Sequence, residues 1–211
     1  HLDDVRRLLV NEPRGHADMY GCFVTPPDDD GADLGVVFFH NEGYSTACGH
    51  GTIALGVWAT DTGLVPSNPN GCTEVRIDVP SGRVSATIER SNGELVAATF
   101  QNVSSHVIAR GLQVPTSRGV VPVDLSYSGA IYASVRAADL DLSVSASHYT
   151  DLIALGREIK WALNDSPEAV HAGDTRLSGV YGTILWDDLG RDASGPIQRN
   201  TTVFADGEVD R

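Results

Sequence analysis

Lysine is nearly missing from this chain: Lys160 is the only one. Arginine does not make up the deficit, because lysine and arginine together number 15 against 28 aspartates and glutamates, a formal net charge of −13. So negative a balance argues against nucleic acid and anionic membranes as partners. No apolar run approaches the ~20 residues of a membrane-spanning helix, and no charged-then-apolar leader opens the sequence. Cysteines are few and odd in number, Cys22, Cys48 and Cys72, without the spacing of a disulfide framework. A reducing, cytoplasmic setting is therefore expected. Low-complexity segments are absent too. What remains is 211 residues, 41% hydrophobic, enough for one large domain or two small ones. The first residue is His1 rather than methionine, and no closing element precedes Arg211, so the chain reads as an internal piece of a longer protein.

Periodicity places the elements. Leu2 to Val10 reads as a short amphipathic helix with Leu2, Val5, Leu8 and Leu9 on one side, broken by Glu12-Pro13-Arg14-Gly15. Strands are expected over Met19 to Thr25 and Leu34 to Phe39. Glu74 to Val79 and Arg83 to Glu89 alternate around Pro80-Ser81-Gly82, a hairpin signal, and Leu95 to Phe100 follows the Asn92-Gly93 turn. The second half echoes this order. Val120 to Tyr127, Ala130 to Val135, Gly179 to Trp186 and Thr201 to Phe204 read as strands, and Tyr149 to Leu163 as a helix. Aligning Phe38 with Phe204 brings Glu42 onto Glu208.

The most informative run is Tyr44-Ser45-Thr46-Ala47-Cys48-Gly49-His50-Gly51-Thr52-Ile53-Ala54-Leu55-Gly56. A strand precedes it, and Ile53, Leu55, Val57 and Trp58 open a helix expected to end near Gly63. Cys48 thus falls at a helix N-terminus, where unpaired N–H groups and the helix dipole favour a thiolate. Gly49 and Gly51 let a small anion approach the backbone amides closely. A nucleophilic or basic thiol beside an anion pocket suits a small carboxylic acid. Two other readings compete. Gly49-His50-Gly51-Thr52-Ile53-Ala54 matches the dinucleotide pattern G-x-G-x-x-A, but Asp61 comes early, Asp78 late, and the next strands read as a hairpin rather than a parallel return. A metal site from Cys48, His50 and His40 lacks any zinc-like spacing. The plain alternative for Cys48 itself is a small buried hydrophobe.

These residues resemble the proline racemase family, the cofactor-independent group of proline racemases, hydroxyproline epimerases and trans-3-hydroxy-L-proline dehydratases. The matching pieces are Glu12-Pro13-Arg14-Gly15-His16, Met19-Tyr20-Gly21, Cys48-Gly49-His50-Gly51, Gly63-Leu64-Val65, Val79-Pro80, Asn102-Val103, Tyr127 to Ala133 and Phe204 to Arg211. The resemblance implies an α+β fold like that of diaminopimelate epimerase. Two pseudo-symmetric halves would each wrap a curved, mostly antiparallel sheet around a central helix, with the active site between them. Residues 1–103 would be the first half, carrying the Cys48 loop and helix. Residues 104–211 would be the second, stopping before its catalytic loop and central helix, which would leave an apolar face of its sheet bare and the 211 residues without turnover.

Carried over residue by residue, the resemblance implies that Cys48 is the first catalytic thiol and His50 an adjacent substrate contact. Gly49, Gly51 and neighbouring amides would hold the carboxylate. Asp210 would meet the ring nitrogen, and Tyr20 and Phe204 would wall the ring pocket. The plain alternatives are sheet core for Tyr20 and Phe204, a helix cap for His50 and a loop brace for Asp210. Ala47 stands where the family usually has methionine, and Ser128 where a second glycine is common. His40 to Ser45, Ile53-Ala54-Leu55-Gly56, Tyr181-Gly182-Thr183-Ile184 and Phe204 to Asp210 look most like the dehydratase branch. That implies dehydration of trans-3-hydroxy-L-proline with one cysteine as base. The alternatives are 4-hydroxyproline epimerisation or proline racemisation with two cysteines, and, in another class, a ligand-binding remnant without activity. No cofactor or metal is expected. The expected partner is a proline-type small molecule and, beyond that, at most a second copy of the chain.

Overall fold

In the computed structural model, which describes residues 1–204 and 208–210, the chain divides into two compact units, His1–Ser104 and Ser105–Arg211. The first begins with α1 (Leu2–Val10), whose first turn carries Asp3 and Asp4, acids that suit the positive end of a helix. The helix seats itself differently from the amphipathic reading. Leu2, Val5, Leu8 and Leu9 are exposed, and the buried residues are Arg6 and Val10. The cause is polar. The Arg6 guanidinium is held by Asp3 and donates to the carbonyls of His40 and Asn41 at 2.7 and 2.5 Å, so the arginine side of the helix turns inward.

A six-stranded sheet follows, built from β1 (Tyr20–Thr25), β2 (Leu34–His40), β3 (Tyr44–Ser45), β4 (Gly71–Val79), β5 (Gly82–Ser91) and β6 (Glu94–Gln101). Its order is β1-β2-β4-β5-β6, with β3 paired to β2. The β5–β6 turn places Asn92 and Gly93 at φ 52° and 83°, the two positive values a tight hairpin turn demands. One expectation is corrected. β4 returns parallel to β2, Leu34 opposite Ile77 and Gly35 opposite Asp78, before it pairs antiparallel with β5. The segment after the Cys48 helix is thus both a parallel return and half of a hairpin. α2 (Gly49–Asp61) makes that crossover. It lies against the sheet through Leu55, Gly56 and Ala59, over Val75, Ile77, Ala86, Ile88 and Phe38. A Cβ at Gly56 would come within 2.5 Å of the Ala86 Cβ, so glycine sets how near helix and sheet approach.

The second unit holds β7 (His106–Thr116), β8 (Gly119–Tyr127), β9 (Ile131–Arg136), α3 (Tyr149–Leu163), β10 (Val180–Asp192), β11 (Gly195–Phe204) and β12 (Glu208–Asp210). Its six strands run in the order β12-β11-β10-β9-β8-β7. β9 and β10 are parallel, and α3 supplies the crossover that a parallel pair requires. Leu152, Leu155, Ile159 and Leu163 of α3 are buried. Gly156 meets Val203, and Thr183 Oγ1 donates to the Gly156 carbonyl at 2.8 Å. One face of the second sheet packs on α3, and Val121, Val123, Leu125, Ile131, Ala133, Val135, Leu185 and Val203 are all buried. The alternate residues Tyr132, Ile184, Trp186 and Phe204 project from the other face and are half-buried. Helix, hairpin and short third strand recur in the same order in both units, α1-β1-β2-β3 and α3-β10-β11-β12, which is the repetition that aligning Phe38 with Phe204 implies.

Candidate active site

The site grows from the end of β2. The chain turns at residues 41–43, where the His40 amide donates to the Gly43 carbonyl at 2.9 Å. It comes back along β2 as β3, with Ser45 buried. The Thr46 carbonyl accepts the Ser81 amide at 3.1 Å. Two residues later Cys48, with extended backbone at φ −152° and ψ 114°, caps α2. Its Sγ accepts the Gly51 amide at 3.2 Å, and its carbonyl accepts the Thr52 amide and hydroxyl at 2.9 and 2.7 Å. The thiol thus does what a serine hydroxyl commonly does at a helix start.

Of the glycines beside it, Gly51 is fixed by packing as well as by any ligand. A Cβ on Gly51 would lie 2.3 Å from Phe38 Cε1, and one on Gly49 3.3 Å from the Phe100 ring. His50 lies on the exposed stripe of α2 with Ala54 and Trp58. Tyr20 is half-exposed. Its ring stacks on His40 and tilts against Phe38, both at 6.1 Å between centroids. Tyr20, Cys48 and Gly51 therefore gather around one buried ring, Phe38. His40, the third member of the metal reading, is buried with Nδ1 accepting the Glu42 amide at 3.1 Å. Among the described residues, no group of three or more histidines, cysteines or acids stands ready for a metal ion.

Phe204 and Asp210 belong to the second unit. Phe204 stacks on Tyr181 at 5.7 Å, and Tyr181 meets Tyr132 edge-on at 5.7 Å. Asp210 pairs through its backbone with Thr202 at the end of β12; its side chain lies outside what the structure describes. Three features of the separate units escape a sequence reading. Arg6 braces the turn before β3 and stands over the Tyr44 ring at 5.7 Å. Tyr132 and Tyr181 extend the Phe204 aromatic cluster. Cys22, two residues past Tyr20 on β1, has its thiol pushed up by burial and, secondarily, by charge at Cys48. Only the alternation of β1 could have signalled it, since residues two apart share a face.

Two α+β units of this kind, one with a cysteine capping its sheet-packed helix, define a known class. The fold matches that of a hydroxyproline epimerase from Agrobacterium vitis, solved with bound trans-4-hydroxy-L-proline, with a TM-score of 0.87 and 26% identity over 99% of this chain and 60% of that one. The proline racemase family profile matches residues 1–211, and the chain belongs to that family. It is 43% identical to a trans-3-hydroxy-L-proline dehydratase of Colwellia psychrerythraea, over all of this chain and 59% of that protein. It is 42% identical to the mouse trans-L-3-hydroxyproline dehydratase, over all of this chain and 60% of that protein. The chain spans about three-fifths of the length of these relatives.

Proposed function

We propose that the protein dehydrates trans-3-hydroxy-L-proline without a cofactor, with Cys48 as the base. The observation that carries this reading is the helix cap: a thiol beside Gly49 and Gly51, its sulfur met by the Gly51 amide at 3.2 Å. The curated relatives of Colwellia and mouse named for this reaction favour the substrate. The Cys48 thiolate takes the Cα proton. The 3-hydroxyl leaves with a proton as water, and the resulting enamine tautomerises to a pyrroline-2-carboxylate. Amides of the first turn of α2 hold the carboxylate and offset the charge that develops at Cα. Within the first unit, Tyr20 walls the ring and His50 contacts the substrate. The second reading is epimerisation at Cα of 4-hydroxyproline, favoured by the bound trans-4-hydroxy-L-proline of the Agrobacterium vitis epimerase.

The test uses the full-length gene product. Given trans-3-hydroxy-L-proline, it should yield an imine that o-aminobenzaldehyde traps, and Cys48→Ser should lose several orders of magnitude in rate. Iodoacetamide should label Cys48 before Cys22, and pyrrole-2-carboxylate should protect it. Inversion at Cα without loss of water would select the epimerase reading. Full turnover by Cys48→Ser would remove both.

A further inference from the structure

Cys22 has no part in the chemistry proposed above, yet it stands beside Cys48. It is the register partner of Phe38 across the β1–β2 ladder. Residues directly opposed in an antiparallel pair project from one face, with Cβ atoms about 5 Å apart. α2 sits on that face, so near Phe38 that Gly51 has no room for a Cβ, and Cys48 Sγ is bonded to the Gly51 amide. The two thiols therefore flank one aromatic ring. Both are half-buried and both pack on the same core cluster. Each also lies within the other's electrostatic reach, since charge at Cys48 helps to push the Cys22 thiol up. Cys72 differs: it is exposed and sits opposite Glu89 in the β4–β5 ladder.

We propose that Cys22 and Cys48 form a reversible disulfide when the protein meets a peroxide, Cys48 being oxidised first and Cys22 resolving it. In the first step the Cys48 thiolate attacks one peroxide oxygen. The O–O bond breaks, hydroxide leaves, and the sulfur becomes a sulfenic acid, oxidised by two electrons. In the second, the Cys22 thiol gives up its proton and its sulfur attacks Cys48 Sγ. The S–O bond breaks, and hydroxide and proton depart as water. One hydrogen peroxide and two thiols thus give one disulfide and two waters. The order is built in. Sulfenic acid is neutral, so the first step removes the charge that opposed ionisation of Cys22. Cys48 lies between β3 and α2, whereas Cys22 is held in a ladder. Cys48 is therefore the partner that moves to bring the sulfurs to about 2 Å. Small thiols reverse the bond by exchange. That the disulfide halts dehydration rests on Cys48 being the base; the disulfide itself does not.

The sequence makes the test direct. Cleavage before aspartate puts Cys22, Cys48 and Cys72 on separate peptides, 18–27, 33–60 and 61–77. The reduced 211-residue protein is treated with hydrogen peroxide, alkylated with iodoacetamide, cleaved and mapped by mass spectrometry without reductant. Peptide 18–27 should be found joined to 33–60, and dithiothreitol should part them. Cys72→Ala should leave the link intact. In Cys22→Ala, Cys48 should run on to sulfinic and sulfonic acids. The proposal is overturned if Cys48 in the parent reaches sulfinic acid while Cys22 is recovered alkylated, or if Cys48 is joined to Cys72. A linked full-length protein that still turned over would count against Cys48 as the base and leave the disulfide standing.

Discussion

Gly51→Ala is the sharpest test of how the thiol is placed. On an open helix this substitution stabilises by about 1 kcal/mol, because alanine is the better helix former. Here the new Cβ would lie 2.3, 2.9 and 3.1 Å from Cε1, Cζ and Cδ1 of Phe38. The ring is 1% exposed and enclosed by the core of the first unit, so it has nowhere to swing. Overpacking of that kind costs about 1–3 kcal/mol. A Cβ at 2.3 Å from a ring carbon belongs in the upper half of that range, about 2–3 kcal/mol, so the clash wins and the net loss is about 1–2 kcal/mol. The first turn of α2 also lifts, taking the Gly51 amide away from Cys48 Sγ, so iodoacetamide labelling of Cys48 should slow relative to Cys72. Urea unfolding measures the stability. Gly43→Ala is the control, since a Cβ there meets nothing within 4 Å; it should stay within about 0.5 kcal/mol of the parent. In a Phe38→Leu background Gly51→Ala should cost less, a coupling that a double-mutant cycle reads. A Gly51→Ala protein as stable as the parent, with Cys48 labelled at the parent rate, would refute the contact as the reason for glycine.

Other substitutions probe separate links. Arg6→Ala strands the His40 and Asn41 carbonyls that its guanidinium meets, and should cost about 3 kcal/mol by urea unfolding, with Arg6→Lys recovering part of it. Arg83 hydrogen-bonds Asp78 and holds its carboxyl below the ordinary 3.8, helped by the Asp28 amide. A carboxylate so depressed stabilises the fold above its unfolded value, and that stability is lost as pH falls through the folded value. The melting temperature should therefore drop below pH 3.8, and Asp78→Asn, less stable at neutral pH, should show a shallower acid limb. Gly49→Ala asks only for a small give from Phe100, 3.3 Å away; it should fold like the parent by circular dichroism but raise the KM of the full-length enzyme if the neighbouring amides cradle a carboxylate.

Sequence periodicity found the elements whose faces differ, and lost those whose faces do not. α3 was legible to the residue, Tyr149 to Leu163, because its apolar positions repeat at helical spacing. β7 escaped because it is an edge strand in which only Val114 is buried, so no alternation marks it. The outer arms of β10 and β11, Asp188 to Asp192 and Gly195 to Asn200, were missed for the same reason, being exposed over most of their length. α1 was found with its bounds, but its packed side was not. One arginine with carbonyl partners 34 and 35 residues away outweighed four aliphatic side chains, and no local pattern encodes such partners.

The candidate site shows the same division between local and distant causes. Cys48 was legible because its signal is contiguous: a strand, a thiol, two glycines and a helix within one run. Glycine in that run was read as room for an anion. The structure adds a second cause, since Gly51 would be required by Phe38 even with no ligand. The two causes separate at Gly49, where a Cβ would meet only the Phe100 ring at 3.3 Å, a tight contact that a shift of a few tenths of an ångström relieves, so packing alone does not demand glycine. Chemistry at the amides is therefore tested at Gly49 and placement of the thiol at Gly51. Loss of activity at Gly51 alone argues for neither, because moving the helix start moves the sulfur and the amides together.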